Sequence, residues 1–188
     1  MKRLLEEIRS CRACEQFLPL GPRPIVQAHP SARLLIVGQA PGLSVHETGI
    51  PWNDPSGERL REWLGLSQTV FYNPKMVAIA PIGFCYPGRA KSGDAPPRKE
   101  CFPLWHGRLG SALANVRLTL LIGGYAQTKY LDSKTNMTET VRSWRHYLPD
   151  FLPLPHPSPR NNIWLRKNPW FEETTVPEIR RLLMLVIG

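Results

Sequence analysis

The sequence predicts an α/β fold: a single domain in which a central, mostly parallel four-stranded sheet is flanked by helices. Short, nearly uninterrupted apolar runs recur along the chain, and segments with apolar residues at helical spacing separate them. The runs stop abruptly at glycine or proline, as buried strands do where a loop begins. At 188 residues the chain fits one domain, residues 1–188, that is long enough to bury a core.

The first half of the chain predicts two helices around a strand. Residues 1–10 read as a short amphipathic helix, and the β-rich run 32–38 predicts the first strand. A loop leads to the next helix, 56–66, for which Pro55 suits the first turn and Gly65 the end.

The second half repeats the alternation. Apolar runs predict three further strands, and helical spacing predicts the helices between and after them. The strands are 76–80, 117–124 and 151–154; the helices are 100–115 and 169–186, with short helices or turns at 125–131 and 138–146. In such sheets ligands bind at the carboxyl ends of strands, where Gln39, Pro81 and His156 would lie.

Charge and composition favour a polyanionic partner. The formal net charge is +9 and the isoelectric point is near 9.8, and neutralising phosphates supplies most non-specific affinity for nucleic acid. Six tryptophans and twenty prolines on such a chain suit stacking against unpaired bases. No run of eighteen apolar residues or export signal is present, so we expect no membrane partner and a cytoplasmic location.

Four cysteines predict a metal site that closes the fold. Cys11 and Cys14 form a Cys-x2-Cys pair, and Cys85 and Cys101 form a Cys-x15-Cys pair. Four thiolates suit either tetrahedral zinc or a 4Fe-4S cluster, and the wide second pair favours the bulkier cluster. The alternative is four buried thiols that act as small hydrophobic residues.

Five segments, taken in order, resemble the uracil-DNA glycosylase superfamily, and most closely its iron-sulfur branches, families four and five. They are Cys11-x2-Cys14, Gly38-Gln39-Ala40-Pro41-Gly42, Gly49-Ile50-Pro51-Trp52, Cys85-x15-Cys101 and His156-Pro157-Ser158-Pro159. The resemblance implies a structural 4Fe-4S cluster on the four cysteines. It also implies DNA as the partner and a base flipped out of the helix as the substrate.

The resemblance assigns roles to the residues around the cavity it implies. Trp52 would stack on the extruded base, and His156 would donate a hydrogen bond to the base and stabilise the leaving anion. The loop from Gly38 to Gly42, with Gln39, Ala40 and Pro41, would line the base and its attacking water, and Asn53 is a further polar neighbour. For Trp52 the alternative is a core tryptophan.

A second group of residues would hold the DNA. Ser158 and Arg160 suit contacts with the backbone phosphates, since hydroxyl and guanidinium groups are common phosphate ligands. The basic, aromatic and amide-rich run 161–168, which includes Asn161, Arg166 and Lys167, would form a wedge that replaces the flipped base. The alternative for this run is a solvated loop before the last helix.

Two departures from the family pattern shape the prediction. Gln39 stands where family four carries a glutamate, and glutamine cannot accept a proton. Asp54, in an Asp-Pro-Ser-Gly segment that resembles a family-five motif, is therefore the predicted carboxylate, with Glu47 and His46 in reserve. The alternative is that Asp54 only caps the helix from Pro55.

The second departure concerns the base. Pro81 stands where family four places an asparagine that reads the uracil edge, and a proline side chain can neither donate nor accept a hydrogen bond. Strict selection of uracil is therefore not expected, and hypoxanthine or xanthine stays open.

The sequence thus predicts a monofunctional DNA glycosylase that removes a deaminated base, uracil first, by water attack. No lysine falls at a motif position, so we expect no Schiff-base step. The alternative is a catalytically silent protein that binds lesions or single strands through the same pocket. The oligomeric state is not fixed by the sequence, and a monomer is the simplest expectation.

Overall fold

The computed structural model describes residues 1–131 and 135–188. Among these residues a parallel sheet of four strands lies at the centre, and a two-stranded antiparallel hairpin lies apart from it. The strands, in chain order, are β1 Leu34–Val37, β2 Val77–Ile79, β3 Arg89–Ala90, β4 Gly93–Asp94, β5 Leu118–Ile122 and β6 Phe151–Leu154.

Helices connect the strands and cover the sheet. The α-helices of the described residues are α1 Lys2–Arg9, α2 Leu43–Thr48, α3 Pro55–Leu64, α4 Gln68–Phe71, α5 Cys101–Ala112, α6 Gly124–Leu131, α7 Met137–Arg142, α8 Asn162–Lys167 and α9 Val176–Ile187. Three short 3-10 turns, Glu15–Phe17, Trp144–Tyr147 and Pro159–Asn161, and a π-helical turn, Phe171–Thr175, complete them.

The sheet has the order β2-β1-β5-β6, with every neighbouring pair parallel. Because all four carboxyl ends point the same way, the segments that follow the strands meet at one edge. This places the loops after β1, β2 and β6 side by side, and it confirms the predicted α/β class.

Alternation along the strands divides the core into two layers, because successive side chains point to opposite faces of a sheet. Leu34 and Ile36 of β1 pack with the layer that contains Leu60 of α3. Leu35 and Val37 pack with the other layer, which contains residues of α1 and α5. Both faces of the sheet are therefore covered, as the continuous apolar strands require.

Several elements differ from the prediction. The loop expected between Gly42 and Asp54 contains α2, and the run 161–168 is largely helix α8 rather than a loop. The last helix begins with a π-helical turn. Within residues 1–131 and 135–188, no helix is long and apolar enough to cross a membrane.

Candidate active site and cysteine pocket

A cavity of about 570 Å³ opens at the carboxyl edge of the sheet. The predicted site residues that line it are Gly38, Gln39, Ala40, Pro41, Gly42, Trp52, Asp54, His156, Ser158, Arg160 and Asn161. The predicted residues Asn53, Arg166 and Lys167 lie outside it and are exposed. The reserve candidates His46 and Glu47 also lie outside; His46 is buried, and Glu47 is exposed.

Trp52 lies against the cavity wall in an unusual backbone conformation, with φ of 56°. A Cβ atom added to Gly38 would approach the Trp52 ring to 2.9 Å, and one added to Gly57 would approach the Trp52 carbonyl oxygen to 1.8 Å. That carbonyl accepts hydrogen bonds from Arg61 Nη1 at 3.3 Å and from the Tyr72 hydroxyl at 3.4 Å. Gly38 thus allows the indole ring its close approach, while Gly57 and the two donors fix the Trp52 backbone.

His156 faces the same cavity as a neutral hydrogen-bond donor. The backbone N–H of Ser158 donates to His156 Nδ1 at 3.2 Å, so the ring proton lies on Nε2. Burial lowers the pKa of His156 to about 4, which keeps the ring uncharged near neutral pH. Its ring centroid is 5.7 Å from that of Trp52, and Asn161 Nδ2 holds its backbone carbonyl at 2.7 Å.

Asp54 caps a helix and also lines the cavity. Asp54 Oδ1 accepts the backbone N–H of Gly57 at 2.8 Å and caps α3. The residue also lines the cavity, and its other oxygen, Oδ2, lies 4.0 Å from the position that a Cβ atom on Gly42 would occupy. Capping therefore fixes this carboxylate in the cavity wall.

Gln39 uses its side chain to hold another loop. Its Nε2 donates to the carbonyl oxygen of Ala95 at 3.2 Å, in the segment just after β4. The backbone carbonyls of Gly38 and Gln39 accept the N–H groups of Ile82 and Gly83 at 2.8 and 3.0 Å. Gln39 thus ties the loop after β1 to the segment that contains the hairpin.

Pro81 lies in the cavity wall, as its position at the end of β2 predicted, and it is buried. Its carbonyl oxygen lies 3.0 Å from His106 Nε2, which must carry the proton, and His106 Nδ1 lies 2.9 Å from the Tyr130 hydroxyl. Burial lowers the pKa of His106 to about 4. The Pro81 carbonyl accepts a hydrogen bond from His106, and proline has no polar side chain. This part of the cavity wall therefore has no polar side chain that could contact a base.

Sequence reasoning missed several polar residues of the cavity, namely Ser56, Ser92, Asp94 and Tyr125. Ser92 and Asp94 belong to the β3–β4 hairpin, which has no apolar alternation to reveal it. A Gly-Asp pair inside the loop between the two distant cysteines was the one signal for Asp94.

Arg160 lies against this hairpin rather than free in solvent. A Cβ atom added to Gly93 would lie 1.8 Å from Arg160 Nη1. A second arginine, Arg59, supports the neighbouring loop by donating to Asn162 Oδ1 at 2.8 Å and to the Pro157 carbonyl at 3.2 Å. The residues predicted to bind DNA therefore form two groups: those of this loop line the cavity, and Arg166 and Lys167 of α8 lie outside it and are exposed.

The four cysteines line one pocket, beside the second core layer. Burial raises the pKa of Cys85 to about 11 and that of Cys101 to about 12. Cys101 Sγ accepts the backbone N–H of Phe84 at 3.3 Å, and Cys14 Sγ lies 3.7 Å from a Glu100 oxygen. Four soft ligands thus border one space, although the described residues contain no group of three or more His, Cys, Asp or Glu side chains placed to hold a metal ion.

One buried donor in this pocket suits a sulfur-rich metal group. Trp105 lines the pocket, and its Nε1–H is buried without a hydrogen-bond partner among the described residues. Indole donates only, and sulfur atoms of metal-sulfur clusters accept such hydrogen bonds. The donor set and this N–H therefore fit the chemistry of the predicted group.

Comparisons with known proteins agree with this architecture. The sequence model of the uracil DNA glycosylase superfamily matches residues 26–180. A protein named as the type-4 uracil-DNA glycosylase of Sulfurisphaera tokodaii is 25% identical over 138 residues, which are 71% of this chain and 59% of that protein. The chain thus spans about three-fifths of the length of that curated relative.

Proposed function

Because this chain belongs to the uracil DNA glycosylase superfamily, we propose that it is a monofunctional DNA glycosylase that hydrolyses the N-glycosidic bond of a deaminated base, with uracil as the first candidate. One observation carries the proposal: a neutral His156, with its proton on Nε2, lies beside Trp52 in the wall of a cavity that Asp54 also lines. These are a donor for the base, an aromatic surface for stacking and a carboxylate.

Each group meets one need of the reaction. Cleavage develops positive charge on the sugar and negative charge on the departing base. The flipped base stacks on Trp52, and His156 Nε2–H donates to a base carbonyl oxygen where the charge develops. Asp54 stabilises the cationic sugar or orients the water that attacks it. A donor that stays neutral suits this task, because its proton remains available across the physiological pH range.

DNA binding follows from charge and position. The chain has a net charge of +9, and Ser158, Asn161 and Arg160 border the mouth of the cavity. Arg166 and Lys167 are exposed on the helix that follows this loop. We propose that both groups contact phosphates on either side of the flipped nucleotide.

We also propose that Cys11, Cys14, Cys85 and Cys101 hold a 4Fe-4S cluster, with zinc as the alternative. The support is the shared pocket, the thiol donors and the unpartnered Trp105 N–H. When bound, the group would supply a structural link between α1, the loop after β2 and α5. No step of base removal depends on it.

A purine substrate is a second candidate, because Pro81 provides no side chain that would select uracil. The wall position after β2 presents a buried proline whose carbonyl is already occupied by His106. An edge without a matching polar side chain discriminates weakly between bases. Hypoxanthine and xanthine are therefore tested beside uracil.

The test is cleavage of labelled oligonucleotides that each carry one uracil, hypoxanthine or xanthine, followed by alkali to break abasic sites. The wild type is expected to cut at one base, uracil first, and His156→Ala to lower the single-turnover rate by about 10²- to 10³-fold through loss of the donor. His146→Ala is the matched control, since His146 is exposed on the turn before β6.

The other outcomes separate the alternatives. Cleavage only at hypoxanthine or xanthine would identify a purine, and not uracil, as the substrate. Tight binding of lesions without any cleavage, in the wild type as in Asp54→Asn, would identify a silent lesion-binding protein. Cleavage that His156→Ala leaves unchanged would contradict the assigned donor.

A further inference from the structure

We propose that Asp94 is a second catalytic carboxylate of this cavity, and that Asp94 and Asp54 together hold the attacking water beside Gly42. This inference rests on the proposed glycosylase function. It adds a residue from a hairpin inside the cysteine loop, a part of the chain to which no catalytic role was assigned.

The geometry brings the two carboxylates to one place. Gly42 lines the cavity, and the position that a Cβ atom on it would occupy lies 3.6 Å from Asp94 Oδ2 and 4.0 Å from Asp54 Oδ2. One oxygen of each carboxylate therefore approaches the same point of the wall. Glycosidases that invert also place two carboxyl groups at the scissile bond, and one of them activates the attacking water.

The free oxygens are available for this task. Asp54 Oδ1 accepts the N–H of Gly57, which leaves Oδ2 for the cavity. The Asp94 side chain has no hydrogen bond or ion pair with a residue of the described part of the chain. An exposed carboxylate that protein donors leave unused at a cavity wall can accept hydrogen bonds from water.

The hairpin that carries Asp94 has neighbours on both sides of this residue. On one side Arg160 lies against Gly93, where any side chain would collide with its guanidinium. On the other side Ala95 donates its N–H to the Gly88 carbonyl at 2.8 Å and accepts from Gln39 Nε2 at 3.2 Å. Gln39 is thus a positioning residue for Asp94: it cannot itself accept a proton, but its Nε2–H holds the carbonyl of the residue that follows Asp94.

The step balances without a co-reactant. The bond between the sugar C1′ and the base nitrogen breaks, and its electron pair leaves with the base, where the His156 Nε2–H stabilises the negative charge. The water oxygen forms the new bond to C1′, and its proton passes to a carboxylate of the pair and then to solvent. The second carboxylate stabilises the cationic sugar while the bond breaks.

The experiment compares Asp94→Asn with wild type in single-turnover cleavage of the preferred oligonucleotide. The expected result is a rate at least about 10²-fold lower, as for loss of a group that takes up a proton. The dissociation constant for an oligonucleotide with an uncleavable 2′-fluoro analogue of that nucleotide should be unchanged or lower, because a negative charge beside the phosphates is removed.

Asp150→Asn is the matched control, because it removes the same charge from an exposed residue at the amino end of β6, the opposite edge of the sheet. Asp94→Ala, a second variant, should match Asp94→Asn in rate, and both should match the wild type in thermal unfolding. Gln39→Leu should lower the rate in the same direction, and adding it to Asp94→Asn should cause little further loss.

Three outcomes would overturn the inference. A rate for Asp94→Asn equal to that of Asp150→Asn would show that Asp94 takes no part in the chemistry. A rate loss explained wholly by weaker binding of the analogue would make it a binding residue. If the wild type cleaves at none of the bases, the proposed glycosylase function itself is contradicted. That result is distinct from one in which the wild type and Asp94→Asn are both active.

Discussion

The cavity and the cysteine pocket differ in what holds their functional groups. In the cavity, protein hydrogen bonds fix each of the three side chains first predicted to be catalytic: Ser158 holds His156, Gly57 holds Asp54, and Ala95 holds Gln39. In the cysteine pocket, apolar packing raises the pKa of two thiols and leaves the Trp105 N–H without a protein partner. The cavity side chains thus have protein hydrogen-bond partners, whereas the Trp105 N–H of the cysteine pocket has none among the described residues.

One segment joins the two regions. The loop between β2 and α5 lines the cavity with Pro81 and Asp94 and lines the cysteine pocket with Cys85. At one end of this loop His106 contacts the Pro81 carbonyl oxygen, and at the other end Cys101 packs in the second core layer. A change in either region can therefore be tested for its effect on the other.

The largest expected effect is in the cysteine pocket. A structural metal contributes on the order of 10 kcal/mol to folding at such sites, so Cys101→Ser should lose bound metal and most of the unfolding free energy. The measurement is iron, sulfide and zinc content together with urea unfolding. Ser111→Ala, on the same helix and exposed, is the control.

Two outcomes would contradict a structural cluster in the cysteine pocket. If Cys101→Ser costs only about 1 kcal/mol, apolar packing alone holds the pocket. Stoichiometric zinc without iron would support a metal site in this pocket but would contradict a 4Fe-4S cluster.

A smaller loss is expected from Gly57→Ala, which acts on the cavity. The added Cβ would lie 1.8 Å from the backbone oxygen of Trp52, and a backbone atom cannot move aside as a side chain end can. We expect a loss of at least about 3 kcal/mol in unfolding free energy, measured by urea titration. Metal content should persist, which would show that the two regions are held separately.

Gly110→Ala is the control for this variant. Gly110 is also helical, but a Cβ atom there meets nothing within 4 Å. Alanine favours the helix interior, so this variant should be more stable than wild type by up to about 1 kcal/mol. Equal stability of the two variants would contradict the assigned collision.

The smallest of the three effects is a pH dependence of stability that comes from His106. Burial lowers the pKa of His106 from 6.5 to about 4, so the unfolded chain takes up the proton first as the pH falls. The stability that depends on neutral His106 is complete above pH 6.5 and is lost as the pH falls towards 4. Between about pH 7 and 5 this amounts to about 2 kcal/mol.

Urea unfolding of wild type and His106→Gln at both pH values measures this contribution. The variant should be less stable at neutral pH but should lose less stability on acidification. Since burial also lowers the pKa of His156 to about 4, His156→Gln reports the same property in the cavity. A pH dependence equal in wild type and both variants would contradict neutral buried histidines.

The sequence was sufficient for the sheet and for most of the cavity. The strands were predictable because each is an almost continuous apolar run, as burial on both faces requires, and α3 was predictable because Asp54, Pro55 and Gly65 mark its ends. The motif residues of the β1 and β6 loops were predictable to lie together because parallel strands bring their carboxyl ends to one edge.

What the sequence missed depends on long-range contacts. Helix α2 is short, with only Val45 and His46 buried, so it has no full apolar periodicity. The β3–β4 hairpin pairs only two residues per strand, and it lies beside Gln39 and Arg160, which are distant in the chain. Asp94 was missed for that reason, because no local pattern shows that a hairpin reaches the cavity.

The close packing around Trp52 also restricts how this protein can evolve. Gly38 and Gly57 leave no room for a side chain while Trp52 keeps its present conformation. A lineage that replaces Trp52 with a smaller residue could afterwards acquire alanine at Gly38, because the collision there is with the indole ring, but alanine at Gly57 would still meet the backbone oxygen of position 52. Gly38 should therefore change only after Trp52 has been replaced, whereas Gly57 should stay glycine in either order.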